Sequence, residues 1–157
     1  MKNGFIYTLA GAAILGLAGC GMMHGEGGGG SMGGGYGSEH GMQGEHVSLS
    51  GKNEVPPNDS MASGMGMVSV AADGAVKVRI HVSGMEPTAA HIHMGAAGAN
   101  GPVIVPLDKQ GSDTFVSKAD AKLNADQLAA YKAGRTYVNV HSAKLPGGEI
   151  RAQLKGS

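Results

Sequence analysis

Val76-Lys77-Val78-Arg79-Ile80-His81-Val82-Ser83 decides the fold. Every second residue is apolar and β-branched, and every residue between is charged or polar. Successive side chains of a strand point to opposite faces, so this octapeptide has one dry face and one wet face. A helix would spread the same residues around its whole circumference. Outward along the chain the period of two returns. Val47 and Leu49 alternate with Ser48 and Ser50. Met65 and Met67 alternate with Gly64 and Gly66, and Val68 and Val70 follow around Ser69. Val138 and Val140 alternate with Tyr137, Asn139 and His141, and Ile150, Ala152 and Leu154 with Arg151, Gln153 and Lys155. Pro102-Val103-Ile104-Val105 and Thr114-Phe115-Val116 are short apolar runs, and Asp73-Gly74, Asn100-Gly101 and Pro146-Gly147-Gly148 are turn signals. Seven or eight short strands at this spacing predict an all-β, antiparallel β-sandwich with Greek-key connections and one wet face per sheet. Met65 and Met67 share a face; core packing is the first reading, and a role as extra thioether ligands is the second.

One helix interrupts the strands. Asn124 and Gln127 have capping-box spacing, Leu123 and Leu128 stand at the positions of a hydrophobic staple, and Gly134 is placed to stop the helix. A short helix is expected from Ala125 to Ala133.

Composition bounds the rest. The 157 residues allow one folded domain. Twelve basic residues balance twelve acidic ones, which speaks against a generally basic nucleic-acid binder. A single Cys excludes an internal disulfide framework and a Cys-based zinc finger. There is no Trp, while ten Met and seven His stand out.

The N-terminus reads as an address. Lys2 precedes an uncharged stretch from Gly4 to Gly19, too short for a spanning helix and suited to a secretory signal. Leu17-Ala18-Gly19-Cys20 resembles the bacterial lipobox, which makes residues 1–19 a lipoprotein signal peptide and Cys20 the lipidated first residue of the mature chain. Acyl chains on Cys20 would anchor the protein to a membrane, facing the periplasm or the exterior. Gly21 directs it to the outer membrane if the cell is Gram-negative. Residues 20–45 are a Gly-rich tether containing Met22, Met23, His24, Met32, His40 and Met42, with His46 at its end. The first reading is a plain spacer. Thioether with imidazole also suits Cu(I), so weak metal capture by the tether is the second.

Residues 46–157 form the folded domain, and its histidines carry the chemistry. His91-Ile92-His93 puts two imidazoles on one strand face. His141 and His81 lie on the polar faces of their own strands. A His-x-His pair with a third His from another strand is a minimal site for copper or zinc, with copper preferred. His81 and Glu149 are accessory candidates, Glu149 as an oxygen donor or an acceptor behind a ring. Met94 points away from the pair. Solvated polar-face histidines are the competing reading, since periodicity does not fix strand pairing. Gly95 to Gly101 reads as a loop with an Asn-Gly turn and lacks the residues of a phosphate cradle. Glu54, before Pro56-Pro57, reads as part of a surface loop.

Four stretches resemble one family in order and spacing: Leu49-Ser50-Gly51-Lys52-Asn53-Glu54-Val55-Pro56-Pro57; Ala90-His91-Ile92-His93-Met94-Gly95 with Asn100-Gly101-Pro102-Val103; Tyr137-Val138-Asn139-Val140-His141; and Gly148-Glu149-Ile150-Arg151 with Gln153-Leu154. They look like the CHRD domain, first named in chordin, over about residues 46 to 155. Ala152 departs from the Gly frequent there in the family. The resemblance implies an exported protein and matches the family's motif histidines to His91, His93 and His141. In chordin these domains belong to an extracellular antagonist of bone morphogenetic proteins. A His-x-His in a β-sandwich is also similar to copper-zinc superoxide dismutase, but with Cys20 alone the intradomain disulfide of that enzyme is missing. Three functions follow in order of preference. The first is a lipid-anchored binding module holding a transition metal. The second is a metal-free interaction or structural module docking an envelope protein. The third is a small redox enzyme, which leaves enzymatic activity open but not preferred.

Overall fold

A computed structural model describes residues 44–156. The signal peptide, Cys20 and the tether donors Met22, Met23, His24, Met32, His40 and Met42 lie outside the described residues. The described elements are β1 (Glu45–Ser50), a 3₁₀ turn (Gly51–Asn53), β2 (Ser63–Val70), β3 (Val76–Ser83), β4 (Pro87–Met94), β5 (Val103–Gln110), β6 (Thr114–Ser117), α1 (Ala125–Lys132), β7 (Thr136–Ser142) and β8 (Ile150–Leu154).

All pairings are antiparallel, and the sheet closes on itself in the order β1-β2-β3-β6-β5-β4-β7-β8. The all-β antiparallel architecture with one short helix is as expected, and its eight strands close into a barrel where a sandwich was expected. The difference lies in β1, which pairs with β2 along its whole length and with β8 at Ser50 opposite Arg151. That last pairing leaves the sheet no free edge. β4, β5 and β6 follow one another as hairpins, and β7 returns through α1 to lie beside β4, which is a Greek-key connection.

The alternating pattern is carried out most cleanly in β3. Val76, Val78, Ile80 and Val82 are buried and Lys77, Arg79, His81 and Ser83 are exposed. The same inner wall receives Val47, Leu49, Val68, Ala90, Ile92, Val105, Leu107, Phe115, Val138, Val140, Ile150 and Leu154. α1 begins with the expected capping box: Gln127 N donates to Asn124 Oδ1 and Asn124 N donates to Gln127 Oε1, both at 2.9 Å. Gly134, with φ of 67°, follows its end.

Two expectations are overturned. Met65 and Met67 are not core residues. Met65 is 67% exposed, Met67 is half-buried, and the inner face of β2 carries Gly64, Gly66 and Val68 instead. A β-carbon at Gly64 would press within 3.1 Å of Ile150 Cδ1, and one at Gly66 would run into the backbone carbonyl of Arg79. The narrow barrel interior is filled from the opposite walls, so the glycines face inward and the methionines outward. Second, the outer face is not wet everywhere. Over β4, β7 and β8, His93, Tyr137, Asn139 and Arg151 all point away from the core and are nevertheless buried. The segments 51–62, 95–102 and 143–149 drape over them. Asn53 Nδ2 donates to Arg151 O, Asn58 Nδ2 to Glu149 O and Asn100 Nδ2 to Val55 O, at 3.2, 3.1 and 2.8 Å.

Candidate metal centre

β4 and β7 lie side by side, with His91 opposite Asn139 and His93 opposite Tyr137. His141, two residues along β7 on the same outer face, sits diagonally from His91. The pairing places all three rings in one cluster. One nitrogen from each of His91, His93 and His141 lies within 4.8 Å of the other two. His91 Nδ1 and His141 Nε2 face each other at 3.1 Å. Two imidazole nitrogens bound tetrahedrally to one zinc stand about 3.3 Å apart, given Zn–N near 2.05 Å. A bulge between β4 and β5 falls between Ile92 and His93, at the edge of the site.

The rings are aimed by the backbone. His93 Nδ1 lies 2.9 Å from Gly101 O, and His141 Nδ1 lies 2.9 Å from Pro146 O. Each carbonyl accepts the Nδ1 proton, which puts the lone pair on Nε2 and turns that nitrogen toward the cluster. A carbonyl behind each ring is the usual outer partner of a metal-bound imidazole. His93 Nε2 is buried and has no hydrogen-bond partner. A buried imidazole nitrogen left without a partner costs free energy, and an ion would satisfy it.

Behind His93 the packing is layered. The Tyr137 ring stacks on His93 at 4.9 Å between centroids and 9° between planes. The Arg151 guanidinium covers the other face of Tyr137, 3.4 Å from the ring centre. Arg151 also grips the loop 95–102, donating to Asn100 Oδ1 at 3.1 Å and Ala99 O at 2.9 Å, and it donates to Gln153 Oε1 at 3.2 Å. Tyr137 Oη accepts from Gly101 N at 3.1 Å. The loop that carries the Gly101 carbonyl is therefore clamped by Tyr137 and Arg151. Gly101 itself admits no side chain, because a β-carbon would run into Met94 O.

Glu54 closes the cover. It is buried at 5% exposure with Oε1 unpartnered, so it is not the surface-loop residue expected. Gly148, with φ of 132°, lets its loop approach. A β-carbon there would come within 2.7 Å of Glu54 Oε1 and 2.6 Å of Asn139 Nδ2. Burial raises the Glu54 carboxyl above its ordinary value, against the pull of Arg151.

Burial lowers the His91 pKa, and the neighbouring His141 and His93 lower it further. Burial also lowers that of His93, opposed by its bond to Gly101 and by the Asn139 side chain beside it. Both rings are thus kept neutral near neutral pH, the form that offers a lone pair to a metal. A tetrahedral ion held by these three imidazoles would keep a fourth position for water or a small ligand.

His81 and Glu149 lie elsewhere. His81 is on β3, exposed, with Nδ1 3.4 Å from Asp113 Oδ1. Glu149 is buried but takes Ser60 Oγ at 2.6 Å and Ser142 Oγ, so its carboxylate fastens two loops. It makes no bond to a ring of the cluster. His46 is exposed on β1. Tyr137, Asn139, Arg151, Glu54 and Gly101 were not anticipated as parts of the site. The stripe Tyr137-x-Asn139-x-His141 was the available signal, since all three positions of one strand face can form hydrogen bonds.

Eight strands closed into a barrel, with three imidazoles clustered on its outer face and His93 buried beneath the draped loops, define an all-β module with a donor cluster. A CHRD domain family model matches residues 46–154, from the second residue of β1 to the end of β8. The chain belongs to the CHRD domain family. No curated protein and no solved structure matches it. Among the described residues, no helix is long and apolar enough to cross a membrane.

Proposed function

We propose that this chain is a lipid-anchored cell-envelope protein that binds one transition-metal ion through His91, His93 and His141. The observation that carries the reading is the aim of the rings: two backbone carbonyls hold Nδ1 of His93 and His141, and His93 Nε2 is buried without a partner beside the other two donors. Solvated histidines need no such arrangement. An all-imidazole donor set suits Cu(II) or Zn(II). Copper is the preferred ion because the sequence before the domain adds Met and His, the donor types that serve Cu(I) as well. Retention at the outer face of a membrane through Cys20 follows from Leu17-Ala18-Gly19-Cys20.

The test is calorimetric titration of the mature chain, with Cys20→Ser to keep it in solution, against Cu(II) and Zn(II). One-to-one binding that disappears in the His91→Ala/His93→Ala/His141→Ala variant is the expected outcome. Equal heats from both proteins would sink the metal reading and leave a module that docks an envelope partner. Labelling with radioactive palmitate, lost in Cys20→Ala, tests the anchor separately.

A further inference from the structure

The outer wall of β1, β2 and β3 carries a second set of soft donors. In the register Met65 stands opposite His81, and Met67 stands opposite His46 on the other side of β2. Met65 and Met67 are two residues apart on one strand, so they share the outer face. Directly opposed residues have β-carbons about 4.5–5.5 Å apart, within which a thioether and an imidazole can close on one ion. His81 Nδ1 faces the carboxylate of Asp113 at 3.4 Å, which leaves Nε2 open to solvent in the manner of a carboxylate-oriented imidazole ligand. Arg79, directly opposite Met67 on β3, donates from its guanidinium to Gln110 Oε1 at 3.3 Å.

The exposure of these methionines is the second observation. Met belongs to the residue types most often buried, yet the outward positions of this one strand hold Met65, and Met61 just before it is 95% exposed. A core role is excluded because the inner positions of β2 hold Gly64, Gly66 and Val68. The site also stands apart from the three-histidine cluster. β6 and β5 separate β3 from β4, and β1 and β8 separate β2 from β7, so the two faces lie across the barrel from each other.

We propose that Met65, Met67 and His81, extended by His46, form a separate binding site for a soft monovalent ion of the Cu(I) class. Thioether with imidazole selects such an ion over Zn(II), whereas the cluster across the barrel offers imidazole alone. The proposal does not depend on metal binding at His91, His93 and His141.

The test uses Ag(I), a redox-inert stand-in for Cu(I), added to the mature Cys20→Ser chain with its methionine methyl groups labelled for NMR. The Met65 and Met67 methyl signals and the His81 ring signals should shift together and saturate at one equivalent. Met65→Leu and His81→Ala, both at exposed positions, should each weaken Ag(I) binding at least about tenfold, the loss seen even for outer-shell partners. Zn(II) should leave the same methyl signals in place. Unmoved Met65 and Met67 signals would overturn the proposal, as would shifts of every methionine in parallel without saturation. The ring signals of His91, His93 and His141 report the other site independently, so failure of one reading is distinguishable from failure of the other.

Discussion

Replacing Arg151 by Met keeps most of the side-chain volume and a contact with Tyr137 but removes the charge and the donors. Arg151 is 1% exposed, and its guanidinium has four acceptors: Asn100 Oδ1, Ala99 O, Gln153 Oε1 and, at 3.4 Å, Ala96 O. Ala96, Ala99 and Asn100 are exposed residues, so their oxygens recover water and their loss costs little. The bond to Gln153 comes from a charged donor and contributes about 1.5–3 kcal/mol. The cation over the Tyr137 ring adds up to about 2 kcal/mol when desolvated. Arg151 also offsets the buried Glu54 carboxyl, and removing a partner from buried charge is costly in its own right. Arg151→Met should therefore destabilise the metal-free chain by about 3–4 kcal/mol, read from urea denaturation at pH 7. The same change frees the loop that holds Gly101 O behind His93, so affinity for the preferred ion should fall about 10–100-fold in calorimetry. A stability loss below about 1 kcal/mol would refute the clamp. A large stability loss with unchanged affinity would refute the link from clamp to loop to His93.

Three further outcomes are expected. Burial holds His91 and His93 below the ordinary imidazole value of 6.5, so the unfolded chain binds protons more readily than the fold. The metal-free chain should lose stability as pH falls from 6.5 through their folded values, and His93→Gln should lose less over that range in a series of urea midpoints. Glu54 has the opposite sign: its folded pKa is raised above 4.5, so the stability it contributes is complete below 4.5 and is lost as pH rises. The difference in stability between Glu54→Gln and the unaltered chain should accordingly move in favour of the variant from pH 4.5 upward, and a constant difference would contradict this. Gly66→Ala would drive a β-carbon into the Arg79 carbonyl across the β2–β3 ladder, where backbone cannot yield, and should cost about 3 kcal/mol or more in thermal or urea unfolding.

What the sequence disclosed and what it concealed follow from the range of the forces involved. The strands were legible because burial of one face acts residue by residue: Val76 to Val82 alternates in the chain as it does in the barrel. The helix was legible because its capping box is built from Asn124 and Gln127, three residues apart. Closure was not, since it rests on Ser50 meeting Arg151, 101 positions later in the numbering, and no local pattern encodes that pair. Met65 and Met67 misled because period two gives two faces and does not say which is inner. Hydrophobicity favoured the methionines, but the packing space opposite Gly64 and Gly66 decided otherwise.

The donor set shows the same division. His91 and His93 share a strand, and their common face could be read directly. His141 joins them only because β7 crosses back to pair with β4. The residues that orient the rings are further removed, for Gly101 and Pro146 act through backbone carbonyls, which carry no residue-specific signature. Arg151 and Tyr137 looked like ordinary polar-face residues in alternating strands. They became buried when loop 95–102 folded over them, and that loop is held in turn by Arg151. Cover and clamp thus require each other, so neither can be inferred from its own segment. The buried Nε2 of His93 is the product of this mutual arrangement. A barrel built for stability alone would have placed an apolar side chain at that position, because a covered imidazole without a partner works against folding. The cost is understandable if an ion completes the site, which is why the affinity of His93 variants, more than their stability, decides what the cluster is for.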